Sequence, residues 1–310
     1  MRNCLKVLLV ASLVIGILSI TISTPVSAKK PASPPGQDKK GGDGGSTEYD
    51  TTIVLYDIDS GLTSPTGVYR WLDVANQAYS TSYRDSYDYT QAEVSVAFSS
   101  QDTSLKGLLT ARNLKPNFAY QVKLSGDTVE YPEANENIGF VGRWWREQWN
   151  GSEWTSGSNS NDSDYLVKKD IEDLSSPTGK SFKFTGYLVF DYLITDSKGN
   201  AYLEFEANSS YHVLWKTTQR IPTANDGKVK SAKFKVNEKT ASAYDTSYGW
   251  VTVGIYGEVE RIPVGGKYLS TGTYDCQLFL TEESFHGSGG TYSGNWAAAM
   301  GAPITFEITE

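Results

Sequence analysis

An all-β fold, an antiparallel β-sandwich carrying a long aromatic-rich loop insertion, is what this sequence predicts, and three observations carry the prediction. Past residue 48, apolar and polar residues alternate with a period of two in segment after segment, as in Val94-Ser-Val96-Ala-Phe98 and Cys276-Gln-Leu278-Phe-Leu280. These segments are rich in Val, Thr, Tyr and Phe, and the chain is 13% aromatic with 20 tyrosines, which suits pleated, half-buried surfaces better than helices. Turn formers separate the segments at short intervals, and no long helical periodicity follows the first thirty residues. At 310 residues the chain is long enough for one large sandwich or two small ones.

The amino terminus follows a different pattern. Arg2 and Lys6 form a short basic region, residues 5–22 are mostly apolar, and Val26-Ser27-Ala28 is a small-residue cleavage site. This reads as a secretory signal peptide over residues 1–28, with a mature chain beginning at Lys29; an uncleaved stretch would instead be an anchor. Cleavage leaves no expected stable membrane span and puts the protein outside the cell or on its surface. It also removes Cys4, so Cys276 is left alone and no intramolecular disulfide can form. Residues 29–48, with Pro and Gly clusters, charges and no large apolar side chain, predict a disordered linker. The formal charge is −8, and losing two of the 28 basic residues but none of the 36 acidic ones makes the mature chain more acidic still. Nucleic acid is therefore a poor candidate partner.

The stretch from Tyr187 to Trp215 converts most directly into geometry. Two alternating segments flank Asp196-Ser-Lys-Gly199-Asn200, which has the residues of a β-hairpin loop. Pairing across it puts Leu188, Phe190, Tyr192 and Ile194 on one core face with Leu203, Phe205 and Ala207. The same register brings Asp191 close to Glu204 and Glu206 on the opposite face. Like charges opposed across a sheet cost roughly 0.2–1 kcal/mol, so a cation or a lysine is expected between them.

Taken in order, the other expected strands are 52–57, 68–74, 92–98, 105–111 and 119–124, then 233–236, 250–256, 274–280 and 304–308. Before the fifth of these stands Leu114-Lys-Pro116-Asn-Phe-Ala-Tyr120-Gln-Val122-Lys-Leu124. Over residues 92–126 the chain resembles fibronectin type III and other immunoglobulin-like sandwiches, whose tyrosine corner has a leucine and proline ahead of such a strand. The resemblance implies a Greek-key sandwich, immunoglobulin-like or jelly-roll, in which the Tyr120 hydroxyl bonds back across the corner. It departs from the family in offering no partner for the core tryptophan and in not closing a domain after Gly126 at the usual length. Residues 49–310 form the sandwich region, as one body or as two subdomains, 49–126 and 181–310, joined by a loop over 127–180.

That loop holds Arg143-Trp144-Trp145-Arg146, Trp149 and Trp154, followed by the polar run 157–164. Exposed indoles stack on sugar rings and the two arginines suit hydroxyls or carboxylates, so these six residues are the candidate ligand surface; buried, the same tryptophans would plug the sandwich end. Residues 159–164 offer carboxylate and amide oxygens suited to calcium or another divalent cation, without the EF-hand spacing. Asn150, Asn161 and Asn208 fit the N-glycosylation acceptor rule.

Chemistry-bearing residues are few. The chain has two histidines, and His212 in Ser-Tyr-His echoes His286 in Ser-Phe-His. Brought together with Glu282 or Glu283, they would form a mixed nitrogen and oxygen metal site for zinc or copper. Cys276, His286 and Met300 lie too far apart in sequence for a cupredoxin-type copper loop, and Cys276, on the same face as Leu278 and Leu280, reads as a buried inert thiol. No nucleophile elbow, phosphate loop or dinucleotide fingerprint is present. The expected function is a non-enzymatic secreted or cell-surface module binding glycans, cell-envelope material or copies of itself. The alternatives are a sandwich-fold glycoside hydrolase using Asp191, Glu204, Glu206, Glu282 and Glu283 as paired carboxylates, and a metal-binding protein using His212 and His286.

Overall fold

The computed structural model describes residues 49–58, 71–75, 77–129, 132–208, 210–214, 229–236, 242–245, 251–259, 269–282 and 297–310. The expected signal peptide and linker lie outside them. The elements are β1 (Thr51–Asp57), α1 (Thr81–Ser86), β2 (Glu93–Phe98), β3 (Gln101–Asp102), β4 (Lys106–Arg112), β5 (Ala119–Asp127), α2 (Pro132–Val141), β6 (Arg143–Gln148), β7 (Ser158–Ser160), α3 (Asp162–Lys168), β8 (Phe182–Ile194), β9 (Ala201–Glu206), β10 (Tyr211–Leu214), β11 (Val229–Val236), β12 (Val251–Val259), β13 (Gly272–Glu282) and β14 (Ala297–Ile308).

Among the described residues the strands run β7-β6-β8-β5-β13-β14-β1-β2-β4-β9, antiparallel throughout, with the short β3 attached in parallel to the end of β14. A separate three-stranded sheet has the order β10-β12-β11. The long sheet turns a corner at β1. Thr51–Leu55 pair with β2, whereas Tyr56 and Asp57 pair with Gly301 and Met300 of β14, so a single strand serves both layers of a sandwich. One contiguous core fills the space, with Val94, Val96, Leu109 and Leu203 from one layer and Val122, Leu188, Leu278 and Ile304 from the other. Alternation sets these choices. In β13, Tyr274, Cys276, Leu278 and Leu280 point inward, and the Tyr274 ring lies parallel to Phe306 of β14 at 5.0 Å.

The fold is all-β as expected, but the pairing around residues 187–215 differs from the expected hairpin. β8 pairs with β5 and β6, and β9 pairs with β4, so the two segments lie in opposite layers. The turn between them carries the chain across the core, and Phe190 and Phe205 meet with centroids 5.4 Å apart. Its shape is fixed by Gly199, at φ +77, whose α-carbon lies against the Leu114 carbonyl, and by the Leu114 N–H, which donates to the Gly199 carbonyl at 3.0 Å. A bulge opposite Val122 and Lys123 then makes Leu193 the buried residue and leaves Tyr192 and Ile194 half-buried, which corrects the expected face beyond Phe190.

Two further expectations change. β5, from the stretch 49–126, is flanked by β8 and β13 from the stretch 181–310, so the two stretches interleave in one sheet. The strand expected over 68–74 is, in its described part, a turn: Leu72 bridges Ala78, and the Asp73 carboxylate accepts from the N–H groups of Ala75 and Gln77 at 2.9 Å each.

Candidate functional site

The insertion 127–180 is a small folded layer at the β7 end of the sheet. β6 pairs with β8, and β7 pairs with β6. Because alternate residues of β6 face opposite ways, the tryptophan pair divides. Trp144 is fully buried between Tyr165, Phe184 and Phe140, and its Nε1–H donates to Asp162 at 2.8 Å. Tyr165 stacks on it at 3.7 Å, with 10° between the ring planes. α2 lies close enough to β8 that a Cβ on Gly139 would sit 2.4 Å from the Trp144 ring, and one on Gly186 2.6 Å from the Gly139 nitrogen. Trp144 is therefore a core residue, contrary to the ligand role expected for it.

Arg146 follows Trp144 to the inner side of β6. Its Nη1 lies 2.6 Å from Asp164, which also takes Lys168 at 2.6 Å and the Ser160 hydroxyl at 2.5 Å. Burial pushes the Asp164 carboxyl up, but the hydrogen bonds from Lys168, Ser160 and Arg146 outweigh it and lower the group to about 2. The sequence dictates the helix that presents these carboxylates. Asn161 caps α3 by accepting from the Asp164 N–H, Asp162 and Asp164 occupy its first turn, and Lys168 its last. The polar run read as a calcium wrap is thus a strand, a cap and a helix start, with both carboxylates bonded to Trp144 and Arg146. Among the described residues no group of three or more His, Cys, Asp or Glu is arranged to hold a metal.

The other side of β6 is different. Arg143 and Trp145 point there, opposite Tyr187 and Thr185 of β8; Tyr187 is buried and the other three are half-buried, with Gly157 packed against the Trp145 indole. Asn159 of β7 stands across from Trp145 and accepts from the Tyr187 hydroxyl at 2.8 Å. Just past β6, Trp149 forms a bridge with Trp154; both residues are half-buried and their rings cross at 5.4 Å and 64°. Trp149 is held by its Nε1–H, which donates to the Ser175 hydroxyl at 3.1 Å. Trp145 and Trp149 are four residues apart on one side of an extended chain, about 13 Å at the usual rise. Tyr187 was not a site candidate in the sequence, and Asn159 was one only as a cation donor; its place beside Trp145 follows only from β7 pairing with β6.

A second cluster lies buried at the corner before β5. Lys115 is 0% exposed, Glu282 at the end of β13 is 2% exposed, and Lys115 Nζ is 2.6 Å from Glu282 Oε1. The Tyr89 hydroxyl donates to the same oxygen at 2.6 Å and lies 3.0 Å from the Tyr120 hydroxyl. Tyr120 accepts from the Lys115 N–H at 3.1 Å, the back-bond expected at this corner. Rings wall the ammonium: Nζ is 4.4 Å from the Trp71 centroid and 4.6 Å from that of Phe118. Burial first, and the Glu282 charge second, push the Tyr89 and Tyr120 hydroxyls up, so both remain protonated. Beyond them Tyr87, Tyr83, Tyr79 and Tyr244 continue the ring contacts, and Tyr244 donates to buried Asp73 at 3.0 Å. Of this cluster the sequence singled out only Glu282 and Tyr120; Lys115 had no reason to be chosen, because lysine is among the residues least often buried.

The remaining candidates are scattered. Asp191 stands opposite Val122 and Glu204 opposite Leu108, in different layers, so the expected carboxylate apposition does not occur. Glu206 accepts from the Ser104 hydroxyl at 2.6 Å and Glu204 from that of Tyr202 at 2.9 Å. Glu282 is committed to Lys115 and Tyr89. His212 lies in β10 opposite Glu258, with only its backbone described, and Glu283 and His286 lie outside the described residues. Asn150, Asn161 and Asn208 are exposed; the Asn150 side chain closes a turn by accepting from Ser152 and Glu153. No family model, no curated protein and no solved structure matches this chain.

Proposed function

We propose that this protein is a secreted or cell-surface sandwich module that binds glycan or cell-envelope polysaccharide through the outward side of β6. Trp145, Trp149 and Trp154 supply the stacking faces, and Arg143 and Asn159 supply the flanking polar groups. The observation that carries this reading is the division of the tryptophans. Trp144 goes fully inward, while Trp145, Trp149 and Trp154 are only half-buried and keep part of each ring at the surface, where burying the remainder would have been favourable by about 25 cal/mol per Å2 of apolar surface. Rigid aromatic faces flanked by a few polar groups are what a sugar ring requires, since its C–H face stacks and its hydroxyls hydrogen-bond at the rim. The test is a glycan array probed with the purified chain and with Trp149→Ala and Trp154→Ala. Binding by the parent that both variants lose supports the reading; no binding by the parent removes it.

A further inference from the structure

The Lys115–Glu282 pair is the least expected chemistry in the molecule. An amine and a carboxyl group meet at 2.6 Å where neither touches solvent. Taking two full charges out of water is costly, and their attraction compensates only in part even with good geometry. The site is walled by Trp71, Phe118 and Tyr89, so water is excluded from the one place where its removal would favour condensation. The mature chain expected from the sequence has one cysteine and hence no intramolecular disulfide, although it belongs to a compartment where extracellular domains are commonly stapled.

We propose that Lys115 and Glu282 form an intramolecular amide cross-link between the corner preceding β5 and the end of β13. A proton passing from Nζ to the carboxylate, coming to rest on Oε2, the oxygen that Tyr89 does not bond, leaves a neutral amine facing a neutral carboxylic acid, which removes both buried charges. The amine lone pair attacks Cδ and the C–N bond forms. The oxygen bonded to Tyr89 carries the developing negative charge, stabilised by the Tyr89 O–H, itself positioned by Tyr120. The C–O bond to the other oxygen then breaks, and that oxygen leaves with the amine proton as water. Amine and acid give amide and one water, with no oxidant, reductant or cofactor. Fixed proximity replaces the activation that this reaction needs in solution. The product is a neutral group suited to the apolar box, and it ties residues 167 positions apart in sequence, which restricts the unfolded chain as a long-loop disulfide does.

The test is peptide mapping by mass spectrometry of the full-length chain, denatured and digested with trypsin. Cleavage after Arg112, Lys123 and Lys267 gives peptides 113–123 and 268–310, since the Lys115–Pro116 bond resists the protease. The expected result is a branched species joining the two, lighter than their sum by one water, with fragment ions placing the junction at Lys115 and Glu282. Tyr89→Phe, which keeps the amine and the acid but removes the O–H, is expected to lower the branched fraction several-fold. Recovery of only the two linear peptides from the parent overturns the cross-link and leaves an ion pair. An unchanged branched fraction in Tyr89→Phe overturns the role given to that hydroxyl.

Discussion

Trp144 and Tyr165 stack face to face, centroids 3.7 Å apart, and this contact joins a strand of the main sheet to a helix of the insertion. The indole is fully buried and its Nε1–H is bonded to Asp162. Trp144→Ala is therefore expected to destabilise the protein by about 3–5 kcal/mol, through lost burial and the cavity left behind. Denaturant unfolding with tryptophan fluorescence measures it. A loss below about 1 kcal/mol would contradict the packing role.

The approach of α2 to β8 makes a second prediction. A methyl group at position 186 would meet the Gly139 nitrogen at 2.6 Å and the Asn135 carbonyl at 2.8 Å, both backbone atoms that cannot rotate away. Gly186→Ala is expected to cost about 1–3 kcal/mol by pushing the helix off the sheet. The thermal midpoint of the variant against the parent checks it.

Asp164 gives the acid side of the stability profile a defined step. Its carboxyl is lowered from 3.8 to about 2 in the folded protein by the three hydrogen bonds it accepts. A lowered folded-state value means that the contribution is present above 3.8 and is lost as pH falls through about 2. Asp164→Asn is expected to flatten the dependence of stability on pH across that window, relative to the parent, and to leave the slope above pH 5 unchanged. Urea unfolding as a function of pH reads this directly.

Cys276 points into the core from β13, and burial pushes its thiol well above the ordinary range. The native protein should resist iodoacetamide at neutral pH, while the same protein in denaturant is alkylated fully. Fast labelling of the native state would place the thiol elsewhere.

How much of this was legible in the sequence depends on the range over which each signal acts. Period-two alternation is local, so the strands and the buried face of β13, including Cys276, could be read directly. Alternation says which side of a strand is buried but not which strand lies beside it. Residues 196–200 have hairpin composition, yet the chain crosses between layers there, and Phe190 meets Phe205 by facing it across the core rather than by pairing with it. The same limit hid the fate of Asp191, Glu204 and Glu206. In the insertion, the short strand 143–148 breaks the apolar alternation because its inner side holds Arg146 beside Trp144, paired with a helix carboxylate. The pairing of Lys115 with Glu282 had no local signal, since their meeting depends on the whole sheet order. The bond from the Lys115 N–H to the Tyr120 hydroxyl could be anticipated because it spans only five residues.

In the proposed function the outward side of β6 binds a sugar polymer while the inward side packs. Isothermal titration of the purified chain with the best-binding polysaccharide, set beside Trp154→Ala and Trp149→Ala, tests it most directly. Each variant is expected to remain folded and to lose about 10-fold or more in affinity, as removal of one aromatic anchor costs ~1.4 kcal/mol or more. Unchanged affinity in folded variants would contradict it.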